Sequence, residues 1–216
     1  MGRIVSIGDA MTRFLASFAV LFFSLLPAHA QNQVAVFAGG CFWCMEADFE
    51  SVTGVIDVKS GFAGGAQKDA TYKAVGRGGT GHYEAVEIVF DPTKISYQKL
   101  LYKFWRSVDP TDAGGQFCDR GSSYRSAVFA LNGKQKAAAK LSLKEAEAEL
   151  GKKIVTPILG AKKFFPAEEY HQDYYKSSKK VLTRFGLVSR KKAYKKYRES
   201  CGRDARIDAL WGKNAR

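Results

Sequence analysis

The residues with most chemical capacity in this 216-residue chain fall together at Gly39-Gly40-Cys41-Phe42-Trp43-Cys44. A cysteine in the first turn of a helix faces unpaired backbone N–H groups and the positive end of the helix dipole, which favours its thiolate. Cys41 is therefore a candidate nucleophile, expected to have a lowered pKa. Cys44, one turn later, shares its helix face at the spacing of redox-active Cys-x-x-Cys pairs. Gly39 and Gly40 would allow a docking molecule to approach closely. Phe42 and Trp43, lying between the thiols, would build an apolar pocket wall. A zinc site needs four ligands, and neither a second Cys-x-x-Cys nor a closely spaced histidine pair accompanies this one, so no metal is expected. Cys118 and Cys201 stand far away in sequence, too spread for a disulfide-framework miniprotein. These residues alone describe a thiol redox or thiol-nucleophile enzyme. A thioredoxin-like thiol-disulfide oxidoreductase using the Cys41/Cys44 pair is the alternative.

Several elements must position these residues. Val34 to Ala38 is a short apolar run ending at Gly39-Gly40, followed by Phe42, Met45 and Phe49 at helical spacing, which predicts strand, tight turn and helix. Strands are expected over Val55 to Phe62, Ala85 to Phe90 and Ser126 to Leu131. Ser96 caps a predicted helix with Leu100, Leu101, Phe104, Trp105 and Val108 on its apolar side. Asn132-Gly133 turns into an Ala/Lys/Glu-rich helix from Lys134 to Leu150, ended by Gly151, and a last strand is expected at Ile154 to Ile158. The order suits an α+β two-layer sandwich with a split βαβ, ferredoxin-like core and a basic C-terminal extension.

Composition narrows the setting. With 46% apolar residues the chain can bury an ordinary core. Arg3 and Arg13 precede an apolar run from Phe14 to Leu26, and Ala28-His29-Ala30 supplies the small residues of a cleavage site. The run falls well short of the ~20 residues of a membrane-spanning helix. Residues 1–30 thus read as a signal peptide, giving a periplasmic or secreted protein that starts at Gln31, with no membrane association after cleavage and one domain over 31–216. The formal net charge is +13, and residues 176–216 hold 14 Lys and Arg against Glu199, Asp204 and Asp208. That basic stretch reads as a solvated, helix-rich tail packed through Tyr194, Tyr197, Leu210 and Trp211. In a secreted protein it is not expected to bind nucleic acid.

The chain resembles the A-type peptide methionine sulfoxide reductases. The motifs that carry the resemblance are Gly40-Cys41-Phe42-Trp43, Ser60-Gly61-Phe62-Ala63-Gly64-Gly65, Thr71-Tyr72, Gly81-His82-Tyr83-Glu84-Ala85-Val86, Phe104-Trp105, Asp109-Pro110-Thr111 and Asp119-Arg120-Gly121-Ser122-Ser123-Tyr124-Arg125-Ser126. Phe165-Pro166-Ala167-Glu168 and His171-Gln172-Asp173-Tyr174-Tyr175 continue it, so that it runs from about Val34 to Tyr175. Such enzymes reverse methionine oxidation, each type acting on one sulfoxide epimer.

The resemblance implies a role for each matched residue. Cys41 would attack the sulfoxide sulfur. Glu84 would protonate the departing oxygen, which requires a carboxyl kept neutral by burial. Tyr72 and Tyr124 would hold that oxygen, Phe42 and Trp43 would enclose the methyl group, and Asp119 would lie near the substrate. The substrate would be the S epimer of methionine sulfoxide, in oxidised proteins or free.

After turnover Cys41 would be a sulfenic acid that a second cysteine converts to an intramolecular disulfide. Cys44 is the first candidate by proximity, then Cys201, which Glu199-Ser200-Cys201-Gly202 places on a mobile tail, then Cys118. No bound cofactor is expected, only an external thioredoxin-like dithiol reductant, and the protein is expected to be a monomer. Relatives often have Gly at the position of Cys44 and Tyr at that of Phe62. His82 and His171 could each act as a base toward Cys41, although His82 is equally suited to holding a loop.

Overall fold

The structure, a computed structural model, describes residues 1–2 and 31–213. The expected leader, including Arg3, Arg13 and the run Phe14 to Leu26, lies outside the described residues, as does the end of the basic tail at 214–216.

The first unit runs β1 (Gln33–Gly39), α1 (Phe42–Glu50), β2 (Val55–Ala63), α2 (Tyr72–Gly76) and β3 (Tyr83–Phe90). There follow α3 (Tyr97–Trp105), the short strands β4 (Gly115–Gln116) and β5 (Asp119–Arg120), β6 (Ser126–Ala130), α4 (Gly133–Leu150), β7 (Ile158–Gly160) and β8 (Phe164–Pro166). The chain then builds β9 (Lys180–Thr183), β10 (Gly186–Ser189), α5 (Arg190–Ser200) and α6 (Arg203–Trp211). It is a mixed α/β fold. The main sheet has the order β7-β6-β1-β3-β2-β8, antiparallel at every step except the parallel pair β6 and β7.

Local chemistry accounts for the helix ends. Ser96 accepts a hydrogen bond from Lys99 N at 3.2 Å, and Asn132 accepts one from Gln135 N at 2.9 Å, each satisfying an amide that the first helical turn leaves free. Gly151, left-handed at φ 64°, closes α4. Alternation along β1 sends Ala35 and Phe37 to a core shared with Phe42, Met45 and Phe49 of α1 and with the apolar sides of α3 and α4. Val36 and Ala38 face the other side of the sheet with Ala85, Ala127 and Phe129.

One expectation changes. The last strand of this region begins at Ile158 instead of Ile154, because only residues 158–160 pair with β6. Residues 154–157 pack as a loop, where Val155 N donates to Pro110 O at 2.8 Å and the Thr156 and Ser126 hydroxyls meet at 2.7 Å. Ile154 is apolar because it is buried, not because it is in a strand. The basic tail packs on the core as a helix-rich tail is expected to, through Tyr194, Tyr197 and Trp211. Its hairpin and two helices return to the core, with Ala193, Tyr194, Arg203 and Ile207 buried.

Candidate active site

Cys41 sits at the N-cap of α1, where the chain turns sharply out of β1. The turn depends on glycines, but not for ligand access as the sequence suggested. A Cβ on Gly39 would lie 2.4 Å from Met45 Sδ, and one on Gly40, at φ +78°, would lie 2.6 Å from Gln116 Cβ. The close approach is made by the protein's own side chains. Gln116 in turn fixes the neighbouring hairpin, accepting from Asp109 N at 2.7 Å and donating to Asp109 O at 2.8 Å. That hairpin, β4 and β5, carries Cys118 and Asp119 to the cavity.

Glu84 comes from the central strand β3 and is buried. Its Oε2 accepts a hydrogen bond from Phe42 N at 3.1 Å, tying the carboxyl to the first turn of the cysteine helix. Burial pushes the Glu84 carboxyl up to about 8, against the opposing effect of that hydrogen bond. It is therefore largely protonated at neutral pH, the state required of a proton donor. Tyr72 opens α2 behind the cap Thr71, whose hydroxyl accepts from Ala74 N at 3.3 Å, and Tyr124 ends a short 3₁₀ turn at Ser122–Tyr124. Burial first, then the nearby Glu84, raises both phenols above their ordinary range, so they remain hydrogen-bond donors.

Cys41 differs from its sequence expectation. The start of a helix favours a thiolate, yet Cys41 is held well above the usual thiol range, first by its hydrogen bond to Cys44, then by burial and by the Cys44, Glu84 and Asp119 charges. Cys44 moves the other way. It accepts the hydrogen bond from Cys41, and Arg203 and Arg198 favour its charge against the cost of burial. Of the pair, Cys44 is therefore the more easily ionised, first because it accepts the hydrogen bond from Cys41, and then because the arginines flank Cys44 while the carboxyls flank Cys41.

The wall beside Cys41 is aromatic. Trp43 stacks on Tyr174 with ring centroids 3.8 Å apart, Tyr72 lies 4.2 Å from His171, and Phe42 packs against both Tyr72 and His171. Neither histidine has the geometry of a base toward Cys41. His82 accepts from Gly65 N at 3.2 Å and meets Ala66 O at 2.9 Å, which is the loop-holding role, and His171 is part of the ring stack.

All seven residues predicted for catalysis and substrate binding line one cavity, together with Cys44, Cys118 and Cys201. Cys118 and Cys201 are joined as a disulfide with Cα atoms 4.9 Å apart, while Cys41 and Cys44 are free. Sequence reasoning treated Cys118 and Cys201 as separate candidates and missed the pairing, because 83 residues separate them. It also missed Arg203. This buried guanidinium donates to Ser107 O at 2.7 Å and Gly39 O at 3.0 Å, so the tail is anchored directly behind the cysteine turn. The available signal was Arg203 following Cys201-Gly202 where apolar residues recur at helical spacing. Tyr170, Tyr174 and the β9 residues were also missed as cavity lining.

Residues 33–203 match the peptide methionine sulfoxide reductase family, past Tyr175, where the recognisable motifs end. The chain is 47% identical, over 95% of its length and 97% of the relative's, to peptide methionine sulfoxide reductase MsrA 2 of Rhizobium meliloti (strain 1021). It is 48% identical to the MsrA 2 of Caulobacter vibrioides, covering 92% of this chain and 96% of that one. Among solved structures, methionine sulfoxide reductase A of Corynebacterium diphtheriae superposes with a TM-score of 0.63 and 31% identity, covering 69% of this chain and 76% of that one. Mxr1 of Saccharomyces cerevisiae in reduced form gives a TM-score of 0.63 and 30% identity, with 67% and 84% covered.

Proposed function

The chain belongs to the peptide methionine sulfoxide reductase family, and from that premise we propose that Cys41, Glu84, Tyr72 and Tyr124 form the centre at which it reduces methionine sulfoxide to methionine. It is an oxidoreductase of protein repair. One observation carries the assignment of the centre: a thiol at the start of α1 faces a buried, largely protonated carboxyl tied to the same helix turn, inside an aromatic-walled cavity.

The substrate methyl group packs against Phe42 and Trp43, and the sulfoxide oxygen accepts hydrogen bonds from Glu84, Tyr72 and Tyr124. Cys41 attacks the sulfoxide sulfur as its proton passes to the Cys44 thiolate, and Glu84 protonates the oxygen. The substrate S–O bond then breaks as the hydroxyl passes to the Cys41 sulfur, and the new sulfur–sulfur bond breaks with its electron pair going to the substrate, so methionine leaves two electrons richer and Cys41 becomes a sulfenic acid. Asp119 borders this site and helps to keep Glu84 protonated.

Cys44 then attacks the sulfenic sulfur, forming the Cys41–Cys44 disulfide and releasing water. Exchange with the reduced Cys118 and Cys201 restores Cys41 and Cys44 and leaves the Cys118–Cys201 disulfide. What supports this route is that all four cysteines line one cavity and that Cys118, on the outer side, is exposed. An external thioredoxin-like dithiol opens the outer disulfide, and no bound cofactor takes part.

The substrate is the S epimer, in proteins or free. The enzyme works as a monomer in the periplasm or outside the cell after removal of residues 1–30, with 31–216 as one domain that includes the basic extension 176–216. The strand order β6-β1-β3-β2, each strand antiparallel to its neighbours so that β1 and β2 run parallel and are joined by α1, supports reading the core as a split βαβ unit. Resolved epimers of a blocked methionine sulfoxide, supplied with dithiothreitol, test the assignment. Consumption of the S form alone, lost in Cys41→Ser, is the expected result. Turnover of neither epimer, combined with reduction of insulin disulfides, would overturn it in favour of a thioredoxin-like oxidoreductase.

A further inference from the structure

The catalytic cavity, about 580 Å³, is much larger than one sulfoxide side chain needs and is of a size that holds drug-sized molecules. Part of its wall is Val181, Leu182, Thr183 and Arg184 of the β9–β10 hairpin. Successive residues of a strand point to opposite faces, so a cavity bordered by this consecutive run follows the edge of the strand. One edge of β9 is occupied by β10, and among the described residues nothing pairs with the other.

The two faces of the hairpin differ. Val181 and Val188 face inward, onto the cluster of Cys44, Tyr174 and Tyr194. Leu182 and Leu187, directly opposite each other across the ladder, face outward and are 80% and 65% exposed, the most exposed leucines among the described residues. Leu182 borders the cavity and Leu187 lies directly beside it on the outer face, so the two leucines extend the rim of the site as an exposed apolar surface.

We propose that Leu182 and Leu187 are a docking surface for apolar residues that flank the methionine sulfoxide in an extended, unfolded polypeptide lying along the β9 edge. The inference rests on the catalytic reading above and adds its substrate class, oxidised chain segments with apolar neighbours. An extended chain is the shape an open strand edge accepts, and leucine contacts reward burial of apolar side chains.

Three substrates test this: N-acetyl methionine sulfoxide amide, a blocked pentapeptide with leucines flanking the sulfoxide, and the same peptide with serines. The wild-type enzyme is expected to show a kcat/KM at least fivefold higher for the leucine peptide than for the serine peptide. In the double variant Leu182→Ser, Leu187→Ser that preference should fall to within twofold through KM, and the loss of kcat/KM on the leucine peptide should exceed any loss on the small amide at least threefold. Absence of a preference in the wild type, its survival in the variant, or an equal loss on the small amide would overturn the proposal. Fluorescence anisotropy of the labelled leucine peptide on the Cys41→Ser enzyme reads docking apart from catalysis. A fivefold weaker affinity after the double substitution supports the surface and equal affinity overturns it, whereas failure of the wild type to reduce even the small amide strikes only the catalytic reading.

Discussion

The proposed role of Glu84 as proton donor has two measurable signatures. Its carboxyl, ordinarily near 4.5 and raised to about 8 by burial, donates a proton only below that range, so the rate should fall as pH rises through about 8. Glu84→Gln is expected to lower the rate by about two orders of magnitude and to flatten this limb, a result read from pH–rate profiles. Stability carries the same proton. Between about 4.5 and 8 the folded state binds more protons at Glu84 than the unfolded state, so stability falls as pH rises across that window. Glu46, raised to about 7 mainly by burial, adds to this slope, and Glu84→Gln should reduce it in denaturant titrations at pH 5 and pH 8. Cys41→Ser should keep the fold and lose essentially all sulfoxide reduction, since a hydroxyl is far less ionised and far less nucleophilic toward sulfur. Intact circular dichroism with undiminished turnover would remove Cys41 from the mechanism.

Helix α1 brings two thiols within one turn, and the recycling order follows from that spacing. Fully reduced enzyme given sulfoxide but no reductant should form the Cys41–Cys44 disulfide first and the Cys118–Cys201 disulfide afterwards, as read by peptide mapping of quenched samples. If Cys44→Ser recycles normally with a reductant protein while Cys201→Ser stalls after one turnover, the tail cysteine is the resolver and the order is reversed. Helix α4 supplies a test of local structure alone. Asn132→Ala removes the acceptor that holds Gln135 N and should cost about 1 kcal/mol, measured as a lower Tm with catalysis unchanged.

The whole molecule depends on its tail, which closes the back of the site through one buried cation. Arg203→Ala would leave the carbonyls of Gly39 and Ser107 without their donor and should cost about 3 kcal/mol. It would also strip from Cys44 a nearby charge that favours its thiolate. The expected readouts are a lower Tm and, in the folded fraction, slower alkylation of Cys44 near neutral pH. Arg206 adds a second anchor at 2.7 Å to Asp109, the residue that also holds Gln116. Thus the hairpin bearing Cys118 and the helix following Cys201 are fixed to the same few residues.

The sequence by itself determined the local parts of this protein. Capping residues and apolar periodicity marked α3 and α4, a glycine pair marked the turn before Cys41, and ordered motifs pointed to Glu84, Tyr72, Tyr124 and Asp119, which the fold brings to one cavity, because each of these signals lies within a few neighbouring residues. Tertiary structure decided what depends on residues distant along the chain. The pairing of Cys118 with Cys201, the return of Arg203 behind Gly39 and the place of β9 in the cavity wall are relations across tens of residues to more than a hundred, which no local pattern records. The relative acidity of the thiols was decided in the same way. A helix start favours a thiolate at Cys41, but the burial and the carboxyls of Glu84 and Asp119 that disfavour it there, and the two tail arginines that favour charge on Cys44, come from separate segments, and their effects add only when the fold brings them together.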